Sequence, residues 1–254
     1  MLIEVMPVDQ GSHFEASSNR ARSRTRLALG IDTCGPSGSV ALGRLVEKDS
    51  GTGLDILGQM ELEGRSYSAT LIPAVGELLQ RAGLALRDVG AIVVANGPGS
   101  FTGVRVGVSA AKGLAEAAAL PIVAVSRLEV LSAKAGVSSS ALDAHRSEVF
   151  LRLGGAARDP VELLAGLPEL RETINIPIEV AVCDEAAFAL IESAWPTVRV
   201  VRVPAPTAAD ALRFAASRVQ AGEFVDLMLL DGHYLRRSDA EIFGEPVAAQ
   251  PMRA

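Results

Sequence analysis

The densest run of residues that could do chemistry is Asn96-Gly97-Pro98-Gly99-Ser100-Phe101-Thr102-Gly103-Val104-Arg105-Val106-Gly107. Glycines ahead of a helix suit a phosphate site, because bare backbone amides and the helix dipole together hold an anion. Two specific versions fail on spacing. A Walker loop needs G-x-x-x-x-G-K-[ST], and here no Lys follows Gly103. A dinucleotide fingerprint needs its third glycine three positions after the second, and Thr102 stands there. Two readings remain: an anion held at a helix N-terminus, or glycines that let backbone pass close to backbone. The second gains support from Gly103, Gly107, Ala111 and Ala115, which recur every four residues. One stripe of that helix carries almost no side chain, and Val104, Val106 and Val108 leave only Arg105 charged over its first two turns. A helix this apolar needs burial on more than one side.

Other candidates are more isolated. Asp32 and Asp143 could be paired carboxylates for acid–base work, or caps of the turns that follow them. Ser100 has no His nearby in sequence and reads as a helix cap. Cys34 follows a strand, as a reactive thiol or a small turn residue. The chain holds only His13, His145 and His233, none spaced as a helical metal-binding pair. Cys34 and Cys183 form no C-x-x-C motif, which excludes a usual zinc site and argues against a disulfide framework.

The elements that must position these residues follow from pattern. Leu27–Asp32, Ser39–Val46 and Leu54–Leu62 read as three strands. Leu71, Val75, Leu78 and Leu79 place a helix over 71–82, closed by Gly83. Ala91–Ala95 is a short buried strand, a helix runs from about 104 to 119, Pro121–Val125 is another strand, and a helix begins at Leu128. A meander of strands followed by parallel crossover units is the plan of a ribonuclease-H-like core. Two such cores make the actin-like (ASKHA) α/β fold.

The second half echoes the first at Ala141–Ala144 and Glu148–Leu151. A helical stretch near 160–170, a strand at 179–182, a helix at 185–194 and a strand at 198–203 follow. A final helix runs from an N-cap at Thr207 to about Ala221. The division expected is an extension over 1–26, one half over 27–136, and a degenerate half over 137–254. The helix near 207–221 is a candidate to pack back on the first half. Tyr234-Leu235-Arg236-Arg237 reads as a terminal strand.

Composition bounds the function. Lys plus Arg number 24 against 30 Asp plus Glu, a net charge of −6, and aromatics are 4 % of 254 residues. A chain that gripped nucleic acid by itself would need a basic footprint or stacking rings. The basic stretch Arg20 to Arg26 is the one cluster of note. No apolar run has the roughly 18 residues of a membrane span, and no secretory signal precedes Leu27. The expected setting is cytoplasmic, without a membrane partner.

The block Gly97-Pro98-Gly99-Ser100-Phe101-Thr102-Gly103-Val104-Arg105, with Ala111-Lys112-Gly113-Leu114-Ala115 and Pro121-Ile122-Val123-Ala124-Val125-Ser126, resembles the TsaB (YeaZ) family. So do Ile31-Asp32-Thr33 with Ser39-Val40-Ala41-Leu42, Ser68-x-x-Leu71-x-Pro73, Asp143-Ala144-x-Arg146-x-Glu148-Val149, and Tyr234-Leu235-Arg236-x-Ser238-x-Ala240-Glu241. The resemblance runs from Leu27 to Glu241. It implies a non-catalytic subunit of the complex that forms threonylcarbamoyladenosine beside the anticodon of tRNA. The implied partners are a catalytic paralogue, TsaD, and a P-loop ATPase, TsaE, with tRNA engaged indirectly.

The paralogue holds a metal through a His-x-x-x-His pair. Carried onto Val125–Leu131, those positions are Arg127 and Leu131, neither of which offers a metal donor. No metal site and no catalytic residue are therefore expected, which also disfavours a glycopeptidase-like (M22-type) activity. In actin-like kinases two glycine-opened hairpins hold the phosphates. Asp32 and Thr33, with Gly35 and Gly38, could form one jaw and are the weak cofactor-binding candidates. The other jaw, Asp143-Ala144-His145-Arg146, is bulky. The isolated chain is expected to bind no nucleotide, with ATP or ADP confined to a junction with partner subunits. A stand-alone ATPase or kinase is the rival reading.

The expected docking face for the paralogue, or for a second copy in a homodimer, lies on the helices 71–82 and 104–119. Its residues are Leu71, Val75, Leu78, Gly103, Val104, Gly107, Val108, Ala111 and Ala115.

Overall fold

The computed structural model describes residues 26–236, apart from 49–50, 64–65, 156–157 and 174. The basic stretch from Arg20 to Arg24, Arg237, and the motif residues Ser238, Ala240 and Glu241 lie outside the described residues. Arg26 itself pairs with Glu47 at 3.6 Å.

Strands β1 (Leu27–Asp32), β2 (Ser37–Lys48) and β3 (Gly51–Glu63) form an antiparallel meander, and β4 (Ala91–Ala95) and β5 (Ile122–Val125) add in parallel. The sheet order is β3-β2-β1-β4-β5. The second sheet repeats this plan with β6 (Ser140–Asp143), β7 (Glu148–Gly155), β8 (Arg158–Gly166), β9 (Glu179–Val182) and β10 (Arg199–Arg202), ordered β10-β9-β6-β7-β8. Asp32 and Asp143 are the last residues of β1 and β6, so the internal repeat places them at equivalent points.

Among the described residues six α-helices cover the sheets: α1 (Tyr67–Arg81), α2 (Phe101–Ala118), α3 (Arg127–Ala135), α4 (Leu167–Arg171), α5 (Glu185–Ala194) and α6 (Ala208–Ala221). Alternation along β1 sorts the first layer: Gly30 lies against Ala208 and Leu212 of α6, whereas Ile31 lies near Gly107 of α2. That is the two-residue period of a strand covered on both faces. The second sheet alternates likewise. Ala141, Val149, Leu151, Val180 and Val182 share a core with Leu170, Ile191 and Trp195. Leu142, Phe150 and Ala181 face Leu128 and Leu131 of α3.

The two halves exchange helices. α3 follows the first sheet in sequence and packs on the second, while α6 follows the second and packs across all five strands of the first. The two exchanged helices meet, and Lys134 bonds Asp210 at 2.8 Å between them. The sequence division at 136/137 therefore cuts between elements whose cores interlock. Among the described residues no helix is long and apolar enough to cross a membrane.

Two expected elements differ. Residues 158–166 form strand β8 rather than helix, although Glu162, Leu163, Leu164 and Ala165 favour helix by propensity. Pairing with β7 overrides it: Glu162 lies opposite Arg152, Leu163 and Leu164 turn to the two cores, and β8 is an edge strand, where Pro160 is tolerated. Residues 231–236 form no strand. They cross the surface as a strap, held by the side-chain and backbone contacts described below.

Candidate functional site

The end of β1, the loop 97–100 and the start of α3 converge between the halves. Asp32, Thr33 and Cys34 are 2 %, 0 % and 1 % exposed. Asp32 Oδ1 accepts the Cys34 amide at 2.9 Å, the local turn its side chain favours. Its other oxygen accepts Arg127 Nε at 3.2 Å, with both side chains almost wholly buried. Burial pulls the Arg127 pKa down, but the charge and hydrogen bond of Asp32, together with the nearby Cys34 and Cys183, leave it raised above the ordinary guanidinium value. The guanidinium lies where a Cβ on Gly35 would come within 2.4 Å of Nη2, so only glycine admits it. Tyr67 closes the site by donating to the Gly35 carbonyl at 2.9 Å. Burial first, then Asp32, pushes its phenol up to about 12.

The glycine-rich block folds onto this turn. Ser100 N donates to the Cys34 carbonyl at 2.8 Å, and Thr33 Oγ1 donates to the Gly103 carbonyl at 2.7 Å. A Cβ on Gly103 would stand 2.0 Å from the Thr33 carbonyl oxygen, and one on Gly107 2.3 Å from Thr33 Oγ1. The glycines thus bring α2 against the end of β1. Ser100 caps α2 by accepting the Gly103 amide at 3.3 Å. Cys34 donates to the Ala95 carbonyl at 3.2 Å, and burial, with Asp32 next, raises its thiol well above the usual range.

The second turn is different in kind. Asp143 accepts the His145 amide at 2.7 Å, and His145, Arg146 and Ser147 all have positive φ, 60°, 56° and 59°. Three successive left-handed residues without glycine hold a tight exposed turn. Asp32 and Asp143 each cap their own turn and have separate side-chain partners, Arg127 and His145.

The nine residues expected to form the docking face have a different use. Leu71, Val75, Leu78, Gly103, Val104, Gly107, Val108, Ala111 and Ala115 are all buried inside this chain. Their small stripe admits β1 rather than a partner, so the outward faces of the same helices carry other residues. On α1 these are Ser68, Ala69, Ile72, Pro73 and Gly76, with Glu77, Gln80 and Arg81 towards its end, and on α2 Phe101, Thr102, Arg105, Ser109 and Gly113, with Glu116 and Ala117 towards its end. Asp32 and Thr33, the cofactor candidates, are both engaged internally. Arg127 is the Asp32 partner and Leu131 is 0 % exposed in the core, so the positions carried over from the paralogue's His pair do not suit a metal.

Sequence reasoning missed a cluster around Glu162. Its carboxylate accepts Ser126 Oγ at 2.7 Å and Arg152 Nη1 at 2.9 Å, and meets His233 Nε2 at 2.8 Å. Burial would raise the Glu162 pKa, but these bonds, His233 and Ser126 foremost, leave it lowered. The strap is fixed here: His233 N donates to the Asn96 carbonyl at 2.6 Å and Lys112 Nζ to the Leu230 carbonyl at 3.0 Å. Only Ser126-x-x-Glu129, the capping box of α3, had a local signature. Even so, Ser126 lies 36 residues and His233 71 residues from Glu162.

Two ribonuclease-H-like halves of one plan, with a buried ion pair across their junction, define an actin-like (ASKHA) protein. The family model described as TsaD, tRNA N6-adenosine threonylcarbamoyltransferase, matches residues 61–159. The chain is 45 % identical over 93 residues to the tRNA threonylcarbamoyladenosine biosynthesis protein TsaB of Bacillus subtilis, covering 35 % of this chain and 41 % of that one. It is 37 % identical over 128 residues to TsaB of Escherichia coli, covering 48 % and 52 %. These matches span about half the length of the curated TsaB relatives. An uncharacterized Mycobacterium tuberculosis protein is 30 % identical over 174 residues, 62 % of this chain and 80 % of that one. The crystallised YeaZ of Pseudomonas aeruginosa superposes with a TM-score of 0.63 at 27 % identity, covering 83 % of this chain and all of that one. Together these matches support the TsaB (YeaZ) family.

Proposed function

We propose that this chain is a non-catalytic subunit in the biosynthesis of threonylcarbamoyladenosine in tRNA, and that it binds and activates a TsaD-type catalytic paralogue. The observation that carries the reading is the Asp32–Arg127 pair. It fills the centre of the cleft with a neutralised, almost fully buried contact, where a catalytic relative needs an open site with free donors. What this chain offers instead is surface. The outward faces of α1 and α2, with Ile72 49 % and Phe101 41 % exposed, would dock the paralogue's matching helices. A second copy would use the same self-complementary face in a two-fold homodimer. Any ATP or ADP would sit at a subunit junction, because Asp32 and Thr33 are committed inside the chain, and the TsaE-type ATPase and tRNA would be engaged through the assembly.

The test is reconstitution of tRNA threonylcarbamoylation from purified subunits. Activity should depend on this chain and be restored by adding it. Full activity in its absence sinks the reading, and tight binding of ATP with magnesium by the isolated chain would favour a stand-alone ATPase.

A further inference from the structure

A cavity of about 450 Å3 lies between the first turns of α2 and the strap, lined by Phe101, Arg105, Ser109, Asp231, Tyr234 and Arg236. Two of its three charged groups are already engaged. Arg236 donates to the Ala144 carbonyl at 2.9 Å and pairs with Glu148. Asp231 accepts the Gly232 amide at 2.7 Å. Arg105 is different: among the described residues it makes no ion pair. Its guanidinium carbon stands 3.9 Å from the centroid of the Phe101 ring, and that ring meets Tyr234 at 5.1 Å between centroids. A guanidinium engaged through its face is held in place while its in-plane N–H donors stay free to fork a carboxylate.

We propose that this cavity is a socket for one carboxylate side chain of the protein that docks on α1 and α2, with Arg105 as the anchor. The inference rests on the docking reading above and adds the chemistry of the contact. Arg105 lies on the outward stripe Phe101, Arg105, Ser109 and Gly113 of α2, so the socket is continuous with the docking face. Apart from Arg105, the exposed positions in the first turns of the two helices, Ser68, Ala69, Ile72, Pro73 and Thr102, are uncharged, and exposed charge returns only further along at Glu77, Arg81 and Glu116, which suits a protein surface rather than a phosphate backbone. Asp231 in the wall sharpens this choice, because it repels a polyanion strongly while a single carboxylate can bind on the Arg105 side. The ordered stack of Arg105, Phe101 and Tyr234 reduces the side-chain entropy lost on binding.

Binding of the full chain to the catalytic paralogue, measured by calorimetry at low and high salt, tests the socket. Arg105→Ala should weaken pairing about tenfold and Arg105→Glu more, with native circular dichroism because the side chain is exposed. Arg105→Lys, which keeps the charge without the fork, should fall between. Asp231→Asn should tighten pairing about two- to threefold at low salt and lose that advantage at high salt. If the wild type pairs and Arg105→Glu pairs equally well, the socket is wrong while the docking reading stands. Asp231→Asn weakening the complex as much as Arg105→Ala also overturns the socket, since the cavity would then only support the surface. A loss of RNA binding in Arg105→Glu with unchanged protein pairing overturns it in favour of a nucleic-acid contact. No pairing of the wild type at all removes the docking reading and the socket together.

Discussion

Removing Arg127 should be among the most damaging single changes in the molecule. The Asp32 and Arg127 side chains are 2 % and 6 % exposed and 3.2 Å apart. At an effective dielectric of about 20, two charges at that distance attract by roughly 5 kcal/mol. Desolvation offsets much of this in the intact pair, but it remains when one partner is lost. Arg127→Met leaves the Asp32 carboxylate buried with the Cys34 amide as its remaining recorded donor, and a stranded charge of this kind costs about 3–5 kcal/mol. For a protein of this size that lowers the melting temperature by roughly 6–20 °C. The double variant Asp32→Ala/Arg127→Met strands no charge and should recover to within about 2 kcal/mol of wild type. Urea unfolding of the four members of the cycle measures this, with one transition expected because the exchanged helices α3 and α6 interlock the halves. A double variant as unstable as the sum of the two singles would refute the reasoning. So would an Arg127→Met variant within about 1 kcal/mol of wild type.

Further tests bear on separate contacts. Gly103→Ala should destabilise by about 1–3 kcal/mol through overpacking on the Thr33 carbonyl, whereas Gly113→Ala, with nothing within 4 Å of the new Cβ, should stabilise by up to about 1 kcal/mol. Thermal denaturation separates the two. The Glu162 pKa is lowered in the folded chain, so its contribution is complete above the unfolded-state value and fades as pH falls through the folded one. Glu162→Gln should therefore reduce stability near neutral pH and flatten its acid dependence, as followed by denaturant midpoints from pH 7 to about pH 3. Ile72→Asp, on the outward face of α1, should weaken pairing with the paralogue at least about tenfold with native circular dichroism. Unchanged pairing would exclude this face.

The strands of the first sheet and the helices that cover it were legible because burial writes a local period. Ala91–Ala95 is apolar throughout because both faces are covered, and Leu71, Val75, Leu78 and Leu79 share one helical face. Ser100, Thr207 and Gly83 marked helix ends through bonds or dihedrals that involve only near neighbours. The block from Gly97 to Gly107 likewise told that backbone must approach backbone closely.

What approached was beyond local pattern. Apolar and small residues at helical spacing announce burial but not the surface that buries them, so the stripe from Gly103 to Ala115 fitted a partner helix as well as it fitted Thr33. Residues 158–166 carried helix propensity of a few tenths of a kcal/mol per residue, less than a full ladder of pairing with β7 supplies. The meeting of Arg127 with Asp32, 95 positions apart, and of Glu162 with Ser126 and His233 depends on how two halves close and exchange helices. By itself the sequence determined the repeating elements and their caps, which are set by neighbours along the chain. Only the tertiary structure decided that the small-residue face is turned inward, that a buried ion pair occupies the cleft, and that Arg105 faces outward with no acid partner among the described residues, because charges and faces are satisfied in space rather than in order.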